Sequence, residues 1–184
     1  MYKRQVFTTP FTYVATAEVI SILGATPIFV DVYESTYNID CEKLETEIKK
    51  VIMEGKLKPK AIIPVDLFGL PARYRLIDKI AQKYNLKVIE DAAQSFGASI
   101  GEKRVGTFGD VAATSFYPAK PLGCYGDGGA IFTNDDSLAE ECKAIRIHGT
   151  SSDKYNSEVI GLNGRLDSIP VSYTHLTLPT RRGG

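Results

Sequence analysis

The stretch YRLIDKIAQKYNLKVIED, running from Tyr74 to Asp91, changes its period in the middle, and that change sets the class of fold. Tyr74, Ile77, Ile80, Ala81 and Tyr84 recur at the spacing of one helical face. Asn85 then precedes Lys87-Val-Ile-Glu-Asp91, a β-branched run of strand length. The same alternation extends outward in both directions. PIFVDV at 27–32, AIIPVD at 61–66, VAATSF at 111–116 and AIFT at 130–133 read as strands. Leu44, Ile48, Val51 and Ile52 between Asp40 and Gly55 read as a helix that Asp40 is placed to cap, and Leu138, Cys142 and Ile145 after Asp136 read as another. Strands and helices alternating at this length predict an α/β fold of three layers, a mostly parallel sheet with helices on both faces. Pro64 weakens the case for a central strand at 61–66. Gly101, Gly106 and Gly109 around Glu102-Lys-Arg104 predict a turn-rich excursion between the third and fourth of these strands.

Composition narrows the function classes. A chain of 184 residues, 43% of them hydrophobic, can bury one ordinary core or carry a piece of a larger domain. Twenty-two basic residues balance twenty-two acidic ones without a cluster, which argues against nucleic acid or an anionic membrane as partner. Cys41, Cys124 and Cys142 are odd in number and lack CxxC spacing, so they read as reduced thiols of a cytoplasmic protein rather than a disulfide framework or a zinc site. No apolar run reaches bilayer length. The ends break the pattern. MYKRQ at 1–5 and the aperiodic, proline-containing 170–184 read as a non-native leader and tail, leaving 6–169 as part of a large domain. GLNGRLDSI at 161–169 begins like a further helix that Pro170 interrupts.

Ligands of open α/β sheets gather outside the carboxyl ends of the strands. Asp91 lies at such an end, where alone it reads as a helix cap or solvated loop acid. Lys120 lies in SFYPAKPLGCYGDGG at 115–129, between Pro118 and Pro121, which fix φ on either side and drive the residues before them toward extended geometry. By itself it reads as an exposed loop lysine. Taken together, an amine able to attack a carbonyl and a carboxylate able to keep a pyridine nitrogen protonated are what a pyridoxal phosphate enzyme requires.

VFTTPFTYVAT at 6–16, GATP at 24–27, EDAAQS at 90–95, the 115–129 run and GLNGRLD at 161–167 resemble, in order and spacing, the DegT-type nucleotide-sugar aminotransferases of fold type I. The resemblance covers nearly all of 6–169. It implies pyridoxal 5′-phosphate as cofactor, with Lys120 as the Schiff-base lysine and Asp91 as the partner of the pyridine nitrogen. Tyr13 would stack on the ring, Gln94 would hold the cofactor or its ring hydroxyl, and Ser115 would donate to the phosphate. Asn163 and Arg165 match positions that reach across a homodimer interface toward the neighbour's phosphate or substrate. The implied substrates are glutamate and a nucleotide-linked keto-sugar, and the 115–129 run looks most like the branch acting on UDP-linked 3-keto sugars for surface polysaccharide precursors. Many family members carry histidine at the position of Asp66, a departure that leaves a substrate contact there in doubt. His148 is left outside the site, and Cys124 reads as packing. A small-residue phosphate loop and a smaller second domain, both usual in the family, have no counterpart in the sequence, so the 184-residue chain alone is expected to be inactive. A pyridoxal-phosphate sugar dehydratase is the second reading, against which Lys120 argues because that branch replaces the lysine by histidine. A non-catalytic nucleotide-binding or sensor module is the third.

Overall fold

The computed structural model describes residues 4–150 and 156–166. The period change at Asn85 becomes the joint between α3 (Tyr74–Tyr84) and β4 (Lys87–Asp91), with Asn85 in the left-handed conformation that ends the helix. α2 (Cys41–Glu54) starts on Asp40, whose carboxylate accepts from the Glu42 and Lys43 amides at 2.8 and 3.2 Å, and stops at Gly55 with φ +64°. Such a cap is worth about 1 kcal/mol. α4 (Asp136–Arg146) is capped by Asp135, one residue before the expected start.

A six-stranded sheet runs in the order β2-β1-β3-β4-β7-β8. β1 (Arg4–Thr8), β2 (Thr26–Phe29), β3 (Lys58–Ile62), β4 and β7 (Val111–Ser115) pair in parallel, and β8 (Gly129–Phe132) closes the edge antiparallel to β7. β3 ends before Pro64, so the proline sits beyond the ladder and accepts, through its carbonyl, the Asp91 amide. The excursion between β4 and β7 is a small hairpin, β5 (Ser99–Ile100) with β6 (Lys103–Arg104). Arg4 and Gln5, set aside with the leader in the sequence reading, form the first residues of β1, and Gln5 is buried. α1 (Ala15–Ile22) is a helix that the apolar spacing had not marked. Residues 161–166 form no helix; Asn163 instead makes a β-bridge with Ile147. The expected tail at 170–184 and residues 1–3 of the expected leader lie outside the described residues.

Crossovers between parallel strands are right-handed. The step from β1 out to β2 therefore puts α1 on one face, and the steps back to β3 and on to β4 put α2 and α3 on the other. The core lies on the second face, where Phe7, Ile62 and Val88 of the sheet meet Leu44, Ile48, Tyr74 and Ile77. The α1 side is more open, and it holds the site. No helix among the described residues is long and apolar enough to cross a membrane.

Candidate active site

The α1 face carries a cavity of about 770 Å³, lined along one side by residues at or just past the carboxyl ends of β1, β3, β4 and β7. That volume suits a cofactor-sized ligand, for which about 300–1,000 Å³ is usual. Tyr13, Asp91, Gln94, Ser115 and Lys120 all line it, so five of the seven residues expected from sequence converge. Alternation along β4 is the cause for Asp91: Val88 and Glu90 point into the core, and Ile89 and Asp91 point into the cavity.

Asp91 is fixed from several directions. Its Oδ2 accepts from the Thr16 hydroxyl at 2.8 Å, and its Oδ1 accepts from the Ala93 amide at 3.2 Å. Its own amide donates to Pro64 at 3.0 Å, and its carbonyl accepts from the Asp66 amide at 3.1 Å. Thr16 lies on α1 one turn beyond Thr12, the two hydroxyls 3.1 Å apart. Both threonines line the cavity, and the sequence reading had passed over both. The signal was available as a polar pair at helical spacing in FTYVAT, at the entry to α1. Gln94 uses its Oε1 to accept from the Phe68 amide at 2.9 Å, which leaves Nε2 as the donor for a ligand oxygen. Tyr13 stands 71% exposed, the surroundings of a stacking platform and not of a core aromatic.

The lysine loop explains its own composition. Phe116 donates to the Gly128 carbonyl at 2.7 Å and accepts, through its own carbonyl, the Cys124 amide at 2.8 Å, so the chain leaves β7 and folds back on itself. Inside that fold Gly123 presses on Pro118, and a Cβ on it would lie 2.4 Å from the Pro118 oxygen. Lys120 sits at the apex, its amide donating to the Tyr117 carbonyl at 2.8 Å. Ser115 accepts the Tyr117 amide at 3.2 Å and retains its hydroxyl proton for a further acceptor. Cys124 is buried with its thiol toward the Gly126 carbonyl, in keeping with a packing role.

Asn163 and Arg165 are not brought to this cavity. Both are exposed, and the Arg165 Nε donates to Asn163 Oδ1 at 2.9 Å. His148 adopts φ +63° after α4 and is also absent from the lining. Asp66 is fully buried, with its carboxylate on the core side of the sheet and not among the lining groups. An amine, a carboxylate, an aromatic ring, an amide donor and a hydroxyl around one cavity form the set that a phosphorylated pyridine aldehyde needs.

Known proteins resemble the chain over most of its length. Residues 2–177 match the DegT/DnrJ/EryC1/StrS aminotransferase family. The UDP-2-acetamido-2-deoxy-3-oxo-D-glucuronate aminotransferase of Pseudomonas aeruginosa is 52% identical over 168 residues, 91% of this chain and 45% of that protein. The crystal structure of a DegT DnrJ EryC1 StrS aminotransferase from Brucella abortus is 53% identical with a TM-score of 0.91, over 93% of this chain and 46% of that one. NtdA from Bacillus subtilis, solved with its cofactor PMP bound, is 30% identical with a TM-score of 0.77, over 94% of this chain and 38% of that one. The chain thus spans less than half the length of these relatives.

Proposed function

Because the chain belongs to the DegT/DnrJ/EryC1/StrS aminotransferase family, we propose that its cavity serves the transfer of an amino group from glutamate to a nucleotide-linked keto-sugar, with pyridoxal 5′-phosphate as cofactor. The observation that carries this reading is that Lys120 and Asp91, twenty-nine positions apart in the sequence, line one cavity. When bound, the cofactor supplies an electrophilic carbonyl and a ring into which negative charge spreads from the carbon that loses its proton. Lys120 Nζ would be the amine that holds the cofactor through that carbonyl and the base for the substrate's proton. The Asp91 carboxylate would hold the proton on the pyridine nitrogen, aimed by the Thr16 hydroxyl that donates to it. Among the residues lining the cavity, Tyr13 would cover one ring face, Gln94 Nε2 would donate to the ring oxygen, and the Ser115 hydroxyl would donate to the phosphate. The exposed Asn163 and Arg165 serve the neighbour's site in a homodimer, the arginine fork suiting phosphate or carboxylate. A UDP-linked 3-keto hexosamine or its uronic acid is the sugar we favour, supported by the name of the Pseudomonas aeruginosa relative.

The test is chemical trapping. The chain is incubated with pyridoxal 5′-phosphate, reduced with borohydride, and its peptides are mapped. The label is expected on Lys120 and is expected to vanish in Lys120→Ala. Labelling spread over other lysines, unchanged in that variant, overturns the assignment.

A further inference from the structure

A serine or threonine inside a helix ordinarily turns its hydroxyl back onto the carbonyl four residues earlier, or leaves it in water. Two side chains of this molecule turn back in that way. Thr46 on α2 donates to the Glu42 carbonyl at 2.9 Å, and Ser21 on α1 donates to that of Ala17 at 3.5 Å. Thr16, on the same helix as Ser21, does not. Its hydroxyl donates at 2.8 Å to Asp91 Oδ2, seventy-five positions away and on a strand. The carbonyl that it passes over is that of Thr12, the residue whose hydroxyl lies 3.1 Å from its own.

The protons follow from counting. A carboxylate only accepts, so the proton between Thr16 and Asp91 is that of Thr16. A hydroxyl carries one proton, so the bond between the two threonines uses that of Thr12. The three groups form a chain that runs one way, from Thr12 through Thr16 to the carboxylate. Each donation polarises the next hydroxyl, which makes Thr16 a stronger donor to Asp91 than a lone threonine. The entry to α1 is built around this chain and not around a cap. α2 and α4 each start on an aspartate whose side chain accepts from two backbone amides, whereas α1 starts on Val14, which has no polar side chain to cap it. The half-buried threonine two residues before Val14 lines the cavity and donates to Thr16.

We propose that Thr12 is a positioning residue for Asp91: its hydroxyl holds Thr16 in the rotamer that aims at the carboxylate, against the one that turns back along α1. Other contacts set the rest of Asp91. The Ala93 amide donates to Oδ1 at 3.2 Å, and the Asp91 amide and carbonyl are both bonded to the loop after β3, at Pro64 and Asp66. The strand and its neighbours thus fix the backbone, and the two threonines fix the direction of Oδ2. The consequence for a cofactor ring nitrogen rests on the aminotransferase reading; the chain of hydroxyls does not.

The first measurement uses the 184-residue chain without cofactor. Three-bond couplings from the Thr16 methyl carbon to its backbone nitrogen and carbonyl carbon report the rotamer. A single rotamer is expected in the unmodified chain. In Thr12→Val, which keeps the branched shape and removes the hydroxyl, the couplings are expected to move to averaged values, and in Thr12→Ser they are expected to return to those of the unmodified chain. A role in packing alone predicts the opposite pattern, because valine fills the space and serine leaves part of it empty. The second measurement adds pyridoxal 5′-phosphate and follows its absorbance. Thr16→Val is expected to weaken binding by about tenfold, Thr12→Val by about threefold, and the double change by no more than Thr16→Val alone, since Thr12 acts through Thr16. Thr16 couplings that stay unchanged in Thr12→Val, or that serine fails to restore, overturn the role of Thr12. Losses of affinity that add in the double change overturn the route through Thr16. Couplings that move as expected while cofactor affinity does not would leave the chain of hydroxyls standing and remove Asp91 as the partner of the ring nitrogen.

Discussion

At the scale of single residues the site is a matter of what holds a carboxylate still. Thr16 supplies a hydroxyl to Asp91 Oδ2, and a hydrogen bond to a charged group is worth about 1.5–3 kcal/mol. Thr16→Val is expected to lower stability by about 1–2 kcal/mol in urea titrations, since Asp91 is only half-buried, and Thr16→Ser is expected to restore it. If serine fails to rescue, the contribution is packing and not the hydrogen bond. Asp91→Asn separates binding from chemistry. It is expected to leave the borohydride label on Lys120 while any exchange of glutamate's α-proton that the unmodified chain supports slows by about 100-fold or more. An unchanged exchange rate would remove Asp91 from the chemistry. Lys120 and Asp91 each read blandly alone; their meeting in one cavity was legible from the pairing of amine and carboxylate and from the family resemblance. Thr16 was not, because its role depends on a helix and a strand seventy-five positions apart. Asp66 was legible only as a departure from a family pattern; nothing local says that its side chain turns into the core.

Among elements, the strand and helix periods carried most of the fold. α2, α3 and β4 fell close to where the spacing put them, with Asp40 and Asn85 acting as end signals. α1 escaped because its eight residues, ATAEVISI, are too short and too evenly apolar to show a face. β1 escaped because its first residues were set aside with the leader, and a strand read from its remaining end has no visible partner. The lysine loop is the element whose geometry is most sharply set by composition. With Gly123 against the Pro118 carbonyl, Gly123→Ala forces the turn open, at a cost of about 1–3 kcal/mol. The variant is expected to keep its far-ultraviolet dichroism, melt at lower temperature and lose the label on Lys120. Gly101→Ala is the control: that position has open space around it but φ +60°, so only local strain of about 1 kcal/mol is expected, with the label intact. Equal loss of label in both variants would mean that general destabilisation, not loop closure, governs the lysine.

Over the whole molecule the two faces of the sheet differ, and the difference has a measurable consequence. The α2 and α3 side is closed by a continuous core from Phe7 to Phe108. On the other side α1 leaves apolar groups in solvent, with Leu23 at its end 84% exposed and Ile131 on β8 58% exposed. Ile131 pairs in register with Ala113, a residue of the cavity lining, so this surface is continuous with the site. Exposed apolar side chains attract other apolar surface, and a formal net charge of zero at pH 7 gives copies of the chain no overall repulsion to hold them apart. The 184-residue chain is therefore expected to bind a hydrophobic-surface dye in native buffer and to sediment with a mass that rises with concentration. Leu23→Lys combined with Ile131→Lys should reduce both. Met53→Lys provides the contrast, because Met53 is 86% exposed on α2, on the closed side of the sheet. If that substitution lowers dye binding and association as much as the double change, added charge is the cause and the open face is not special. If only the double change acts, the apolar surface beside the cavity is the part of the molecule that seeks a partner.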